Sequence, residues 1–345
     1  MNLRSRRKFL SLMAASTGLS LTTYLASCRQ ESEISTNNTS PNSSPKLNSL
    51  GLGGSMIMIM LPLAYLLEKS QLREAVTEIK FSTFKNHDQL KGLIASQQVQ
   101  ISGTPTELSA SLYQRNIPVQ LLNVMIWGVF YVLSPQQNIN SWQDLRGKKV
   151  LIPFKNSMLE NIFRYLSVKA GLSPDRDVII QSTQDFPQTV QLLLAKRADA
   201  ALFSEPIATS AQLKGEQQGT PLYRVLNLQE EWAKVTGKKP KIPQAGTTAL
   251  QSLVNDSPQI VQLIQTELRK SVDWIGQNPD AASELGAKYL ELPPKVIQQA
   301  LKFTPFEFKT AAEAKGELEF WYQCLAEENP KLFNGKLPDD RFYSS

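Results

Sequence analysis

The chain has 345 residues, with 37 lysines and arginines against 31 aspartates and glutamates, one histidine and two cysteines. Two cysteines, Cys28 and Cys324, exclude a framework of several disulfides. Four of the basic residues precede Cys28 with no acid among them, which leaves 33 against 31; a surface so nearly neutral, without a lysine or arginine run, carries no footprint for nucleic acid.

The N-terminus pairs a cationic head (Arg4, Arg6, Arg7, Lys8) with an interrupted apolar stretch from Phe9 to Leu25. That pattern predicts a secretory signal over residues 1–27, and it is too short and interrupted for a spanning helix of about 20 apolar residues. The head, SRRKFL, resembles the twin-arginine export signal, although Ser11 stands where that pattern often has lysine. Leu25-Ala-Ser-Cys28 resembles the bacterial lipobox, which makes Cys28 the first mature residue and the site of lipid attachment. Residues 28–49, rich in Ser, Asn, Thr and Pro, bury too little to fold. As a flexible coil, the 21 residues from Arg29 to Ser49 reach about 25 Å, a tether that holds a domain off a membrane.

From Leu50 onward, short apolar strands alternate with amphipathic helices, which predicts an α/β fold with mainly parallel sheets. Strands are expected near residues 50–52, 79–84, 99–102, 119–123 and 128–133, then near 150–153, 178–181, 200–203 and 222–226. Helices fall between the later ones, at 159–170, 187–196 and 206–214. The C-terminal third reads as helices introduced by proline, in SPQIVQLIQTELRKSVDWI, NPDAASELGAKYL and PPKVIQQAL.

Two strand ends carry the same local chemistry. GTPTEL offers Thr104 as a cap with Glu107 to complete a capping box, and FKNSMLE places Ser157 and Glu160 at the same separation. Each puts a strand's carboxyl end against free helix N–H groups, the edge at which open α/β sheets bind ligands; ordinary helix starts look the same. GLGGS, residues 51–55, lacks the GxGxxG spacing and any following GK[ST]. MIMIMLPLAYLL is apolar for only 12 residues, which suits a core or an adaptable pocket wall rather than a membrane span. Cys324 shares a helical face with Phe320 in EFWYQCLAEE and reads as a buried small hydrophobe.

The block SWQDLRGKKVLIPFKNSMLENIFRYLSVKAGLSPDRDVIIQSTQDFPQTVQLLLAKRADAALFSEPIATS resembles the substrate-binding lipoproteins of ABC importers. The matching branch contains the nitrate, taurine, aliphatic-sulfonate and thiamine-precursor binding proteins. The features carried over are DLRGKKV, the turn IPFKNS, the segment with Gly171, Leu172, Asp177 and Val178, and ADAALFSEP, with NPDAASELGAKYL similar to the family's late helices. The resemblance implies a two-lobed, periplasmic-binding-protein-like (Venus flytrap) fold with two crossing strands and a helical C-terminal third. Lobe one would hold residues 50–129 plus 223–345 and lobe two residues 130–222. It also implies an exported monomer that carries a small ligand to a permease and its ATPase, with no cofactor. Closure then needs a ligand that touches both lobes.

Positions matching the family's ligand-facing turns are Ser55, Thr104 and Thr106 in lobe one and Lys155, Asn156 and Ser157 in lobe two. Glu205 matches its Glu-Pro turn and could accept hydrogen bonds from an amine; an acid serving a helix dipole would look the same. Of the nearby aromatics, Trp127 is the one retained as a ligand face. Lys155 is the obvious cation near these turns, which disfavours anions and leaves amines and heterocycles open. Two other functions share the architecture: a chorismate-dehydratase-like enzyme and a ligand-presenting signalling receptor. The sole histidine, His87, has no local Ser or Asp constellation, and no cluster has metal-ligand spacing.

Overall fold

A computed structural model describes residues 46–84 and 87–344; the leader, Cys28 and the tether as far as residue 45 lie outside the described residues. The chain first lays down β1 (Leu47–Ser55), β2 (Val76–Phe84), β3 (Ile101–Pro105) and β4 (Val119–Ile126). It then forms β5 (Phe130–Ser134), β6 (Lys149–Pro153), β7 (Ile179–Thr183), β8 (Ala200–Ser204) and β9 (Tyr223–Asn227) before adding β10 (Ala245–Leu250) and β11 (Phe306–Thr310). These make two sheets, one in the order β11-β4-β10-β3-β1-β2 and one in the order β7-β6-β8-β5-β9. The two-lobed α/β architecture is therefore observed, each lobe with its own sheet.

Four local expectations need correction. The sheets are mixed rather than mainly parallel: β10 runs antiparallel between β3 and β4, β11 runs antiparallel to β4, and β5 runs antiparallel to both β8 and β9. The C-terminal third is helical but also supplies β10 and β11 to the first sheet. The strand at Tyr223–Asn227, assigned by sequence to lobe one, pairs with β5 in the second sheet. Finally, β1 begins at Leu47, inside the expected tether, because Leu47 and Ser49 already pair with Val76 and Glu78 of β2.

The glycines of GLGGS lie within β1 and serve packing. A Cβ on Gly51 would meet the Gln98 carbonyl oxygen at 1.9 Å, and one on Gly54 would meet the end of Met60 at 2.6 Å. Strands β5 and β8 are buried at every residue, as expected for strands covered on both faces. The methionine-rich stretch leads into the helix Met60–Glu68, whose Met60, Leu61, Leu63, Leu66 and Leu67 are core. Prolines open the helices Pro258–Gln277, Pro279–Leu290 and Pro294–Leu301, where the missing N–H has no intrahelical role.

The chain crosses between the sheets twice. The first crossing is Trp127 to Val129, where Gly128 takes φ +95° and packs so closely on Gln229 that a Cβ would lie 2.3 Å from its Cγ. The second is more than a strand: it contains the helix Leu228–Thr236 and the segment 237–244. Gln229 Oε1 accepts the Phe130 N–H at 2.9 Å, so the two crossings are tied together. The helix Lys315–Glu328 then packs against Met158–Lys169, with Trp321 edge-on to Trp232 at 5.5 Å. Cys324 is buried in that contact, as its helical spacing predicts.

Candidate functional site

A groove of about 850 Å³ opens between the lobes. Its lobe-one wall is the helix Thr106–Gln114, through Glu107, Leu108, Ser111 and Leu112, with Lys91 and Arg115 beside it. Its lobe-two wall is the turn after β6 and the start of the helix Met158–Lys169, through Lys155, Asn156, Ser157, Glu160 and Asn161. Glu328, Asn329 and Lys331 close one end.

The lobe-two turn keeps one half of the expected capping box and shifts the other by a residue. Ser157 is the N-cap, its Oγ accepting the Glu160 N–H at 3.3 Å, while Glu160 Oε2 accepts the Asn156 N–H at 2.8 Å. Two residues of this turn, Phe154 and Asn156, hold positive φ at +61° and +59°. That conformation is costly for a bulky side chain and clusters at ligand-contacting turns. Phe154 is 39% exposed and meets Phe186 edge-on at 5.3 Å.

The lobe-one turn departs from expectation. The cap position is Pro105, without a side-chain cap, and Thr104 turns inward, within 2.9 Å of Ser109 Oγ and 3.0 Å of Thr248 Oγ1. The Thr106 hydroxyl donates to the Pro243 carbonyl at 2.5 Å, and its backbone N–H donates to Gln244 O. Both threonines are fully buried: the Thr104 hydroxyl ties β3 to β10, and the Thr106 hydroxyl ties the start of its helix to the second crossing. Without a cap to make, Glu107 is buried too, and burial pushes its carboxyl up to about 8, against the pull of the Glu107 and Leu108 backbone amides.

The remaining candidates lie apart. The Ser55 hydroxyl ends β1 and donates to Gly103 O at 3.3 Å. Glu205 is fully buried and paired with Arg224, and its Oε2 accepts the Thr209 N–H at 3.2 Å. Burial raises its carboxyl from the ordinary value, with Arg224 pulling it back. Trp127 donates its indole N–H to Glu307 O at 2.7 Å and lines a different cavity. That second cavity, about 430 Å³, lies at the crossings with Lys238, Lys239, Lys241 and Lys309, the last 4.9 Å over the Trp127 ring. The structure thus brings Lys155, Asn156 and Ser157 together with Glu107, and leaves Trp127 and Glu205 elsewhere.

The groove is richer in cations than the local turns suggest. Lys91 pairs with Asp88, and Arg164 pairs with Glu160 and Asp175. Arg115, Lys155 and Lys331 form no ion pair among the described residues. Glu328 is raised by burial. Arg115 and Lys331 were not legible as groove residues because they reach it from helix ends more than 200 positions apart. No group of three His, Cys, Asp or Glu able to hold a metal is present among the described residues.

Two mixed sheets, two crossings and a groove between them define a two-lobed binding protein of the ABC-importer kind. A family model described as ABC transporter, phosphonate, periplasmic substrate-binding protein matches residues 56–259, more than half of the chain, and the protein belongs to that family. Among solved structures it is similar to an ABC transporter protein from Parabacteroides distasonis, at 16% identity and TM-score 0.69 over 87% of this chain and 99% of that one. It is similar to the periplasmic aliphatic sulphonate binding protein of Escherichia coli at 15% identity and TM-score 0.65, with the same coverage. The periplasmic nitrate-binding protein of Synechocystis PCC 6803 aligns at 12% identity and TM-score 0.57 over 74% of this chain and 71% of that one. A comparison with curated protein sequences finds no match. The chain is the periplasmic substrate-binding component of an ABC importer, a role that implies a small-molecule ligand and permease and ATPase partners. The enzyme alternative finds no support in these relatives. No helix among the described residues is long and apolar enough to cross a membrane.

Proposed function

We propose that this receptor takes a small oxyanion into the groove between the helices Thr106–Gln114 and Met158–Lys169 and releases it unchanged to the importer. The observation that carries this reading is the convergence of Arg115, Lys155 and Lys331 on one groove without ion-pair partners among the described residues. Three uncompensated cations in a concave site raise the local concentration of anions. They reverse the preference for amines that Lys155 alone suggested. The phosphonate, sulphonate and nitrate named for the family and two of its structural relatives are oxyanions of suitable size.

In this reading Lys155, Asn156 and Ser157 contact the ligand. Ser55, Thr104 and Thr106 set the lobe-one edge, while Glu205 and Trp127 act in the frame. The protein is a non-catalytic monomer held at the membrane by a lipid on Cys28. Ligand retention tests the receptor reading: the purified chain is equilibrated with a small-molecule extract, filtered and denatured. A retained compound recovered unchanged is the expected result, and recovery as a converted product overturns it. Labelling with palmitate tests the anchor. The label should be lost in Cys28→Ser, and an unlabelled wild-type chain in the membrane fraction overturns that part.

A further inference from the structure

Two polar atoms of the groove lack partners, and they come from different lobes. Glu107, on the lobe-one wall, is 4% exposed and its Oε2 makes no hydrogen bond; Asn161, on the lobe-two wall, is 5% exposed and its Nδ2 makes none. Buried polar atoms are nearly always partnered, so each such exception calls for a reason. Three neighbouring side chains are already committed: Ser157 to the Pro153 carbonyl, Glu160 to Arg164 and the Asn156 N–H, Thr106 to the Pro243 carbonyl. Both residues line the groove, so a ligand held between the lobes lies against the two walls that carry these atoms.

We infer that Glu107, as the neutral acid, and Asn161 donate hydrogen bonds from the two lobes to one ligand oxyanion, so that closing the groove requires a proton on Glu107. This rests on the oxyanion-receptor reading. An ionised Glu107 would be buried without a cation partner and would repel the ligand. As a carboxylic acid it supplies an O–H whose acceptor is the ligand, and its burial keeps it protonated at neutral pH.

The charged and titratable groups around it are consistent with that state. Lys91 comes from the helix His87–Ala95 and Arg115 follows Glu107's own helix. Lys155, Glu160 and Arg164 stand on the lobe-two wall, and Glu328 and Lys331 at the closed end. Tyr322 lies behind Glu107, its hydroxyl donating to Thr106 O at 3.1 Å and held well above its ordinary value by burial. None of the cations forms an ion pair with Glu107, and Arg115, Lys155 and Lys331, which form no ion pair among the described residues, face the groove with their charge available to an anion.

The test is titration calorimetry of the full chain with methanesulfonate, which stays ionised throughout, at pH 6 and pH 9, with ethylammonium as the cationic control. Binding should be about tenfold weaker at pH 9, as a group titrating near 8 requires. Glu107→Gln, whose amide donates at every pH, should bring the ratio between the two pH values to within about twofold of one. Asn161→Leu should weaken binding at least tenfold at both. Lys155→Met should weaken binding at both pH values while keeping the ratio, which separates the charge of the groove from the proton on Glu107. An equal pH ratio in wild type and Glu107→Gln overturns the inference alone. Tighter binding of ethylammonium, or no binding of methanesulfonate at either pH, overturns the oxyanion reading and the inference with it.

Discussion

The Arg224 guanidinium carbon sits over Phe303, 3.7 Å from the ring centre, and from there the group pairs with the fully buried carboxylate of Glu205. The pair joins β9 to the end of β8, with one Glu205 oxygen held by Arg224 and the other by the Thr209 N–H, away from the groove lining. Removing one partner strands a buried charge, which typically costs 3–5 kcal/mol. Arg224→Met is expected to lower the free energy of unfolding by roughly that amount, read from denaturant titration. A loss under about 1 kcal/mol would mean that the pair is hydrated and weak.

The first sheet depends on close approach between strands. A Cβ on Gly246 of β10 would sit 1.8 Å from the Asn123 carbonyl oxygen of β4, and the obstacle is backbone, not a movable side chain. Gly246→Ala should therefore cost at least about 3 kcal/mol by overpacking. Gly92→Ala, where nothing lies within 4 Å, should be neutral or slightly stabilising in its helix. Melting temperatures of the two variants side by side check the contrast.

Ser157 caps the helix whose first turn forms the lobe-two wall. Losing the cap by Ser157→Ala should cost about 1 kcal/mol and loosen the Asn156 backbone that Glu160 holds. Hydrogen exchange at the amides of Asn156 and Glu160 should quicken in the variant, while amides in β6 remain protected.

Stability should also depend on pH through Glu107. Its folded-state value is raised to about 8 from an ordinary 4.5, so the folded protein holds a proton that the unfolded chain releases. That contribution is fully present below about 4.5 and is lost as pH rises through about 8, a change of the order of a few kcal/mol. Glu205 and Glu328 are raised in the same direction, so the wild-type profile is a sum. The difference between wild type and Glu107→Gln isolates the Glu107 part, and it should grow from about pH 5 to about pH 8 and level off above that.

The first nine strands were legible because each overlaps a short stretch with apolar residues before a helix or turn signal, while the division into lobes came from the family resemblance. The IPFKNSMLE turn was legible because a cap is local: Ser157 accepts the Glu160 N–H as its spacing implies, while Glu160 reaches the Asn156 N–H, one residue before the cap. GTPTEL shows the same spacing with a different result. There Thr104 finds Ser109 and Thr248, the second 144 residues away, and Glu107 is left buried without its cap. β10 and β11 were hidden because AGTTAL and FEFKT are short and lie in a helix-rich third of the chain, and pairing with β3 and β4 makes them strands. Arg115, Asn161 and Lys331 could not be read as site residues, because nothing local to them marks a groove that the fold assembles from distant segments.

Native mass spectrometry of the chain purified without denaturation tests the central claim most directly. The account predicts one small ligand per chain in wild type and none in a variant carrying Lys155→Glu with Lys331→Glu. Lys239→Glu, in the cavity at the crossings, should retain the ligand. A bound ligand that survives the groove substitutions but is lost with Lys239→Glu would contradict the account and move the binding site to the crossings.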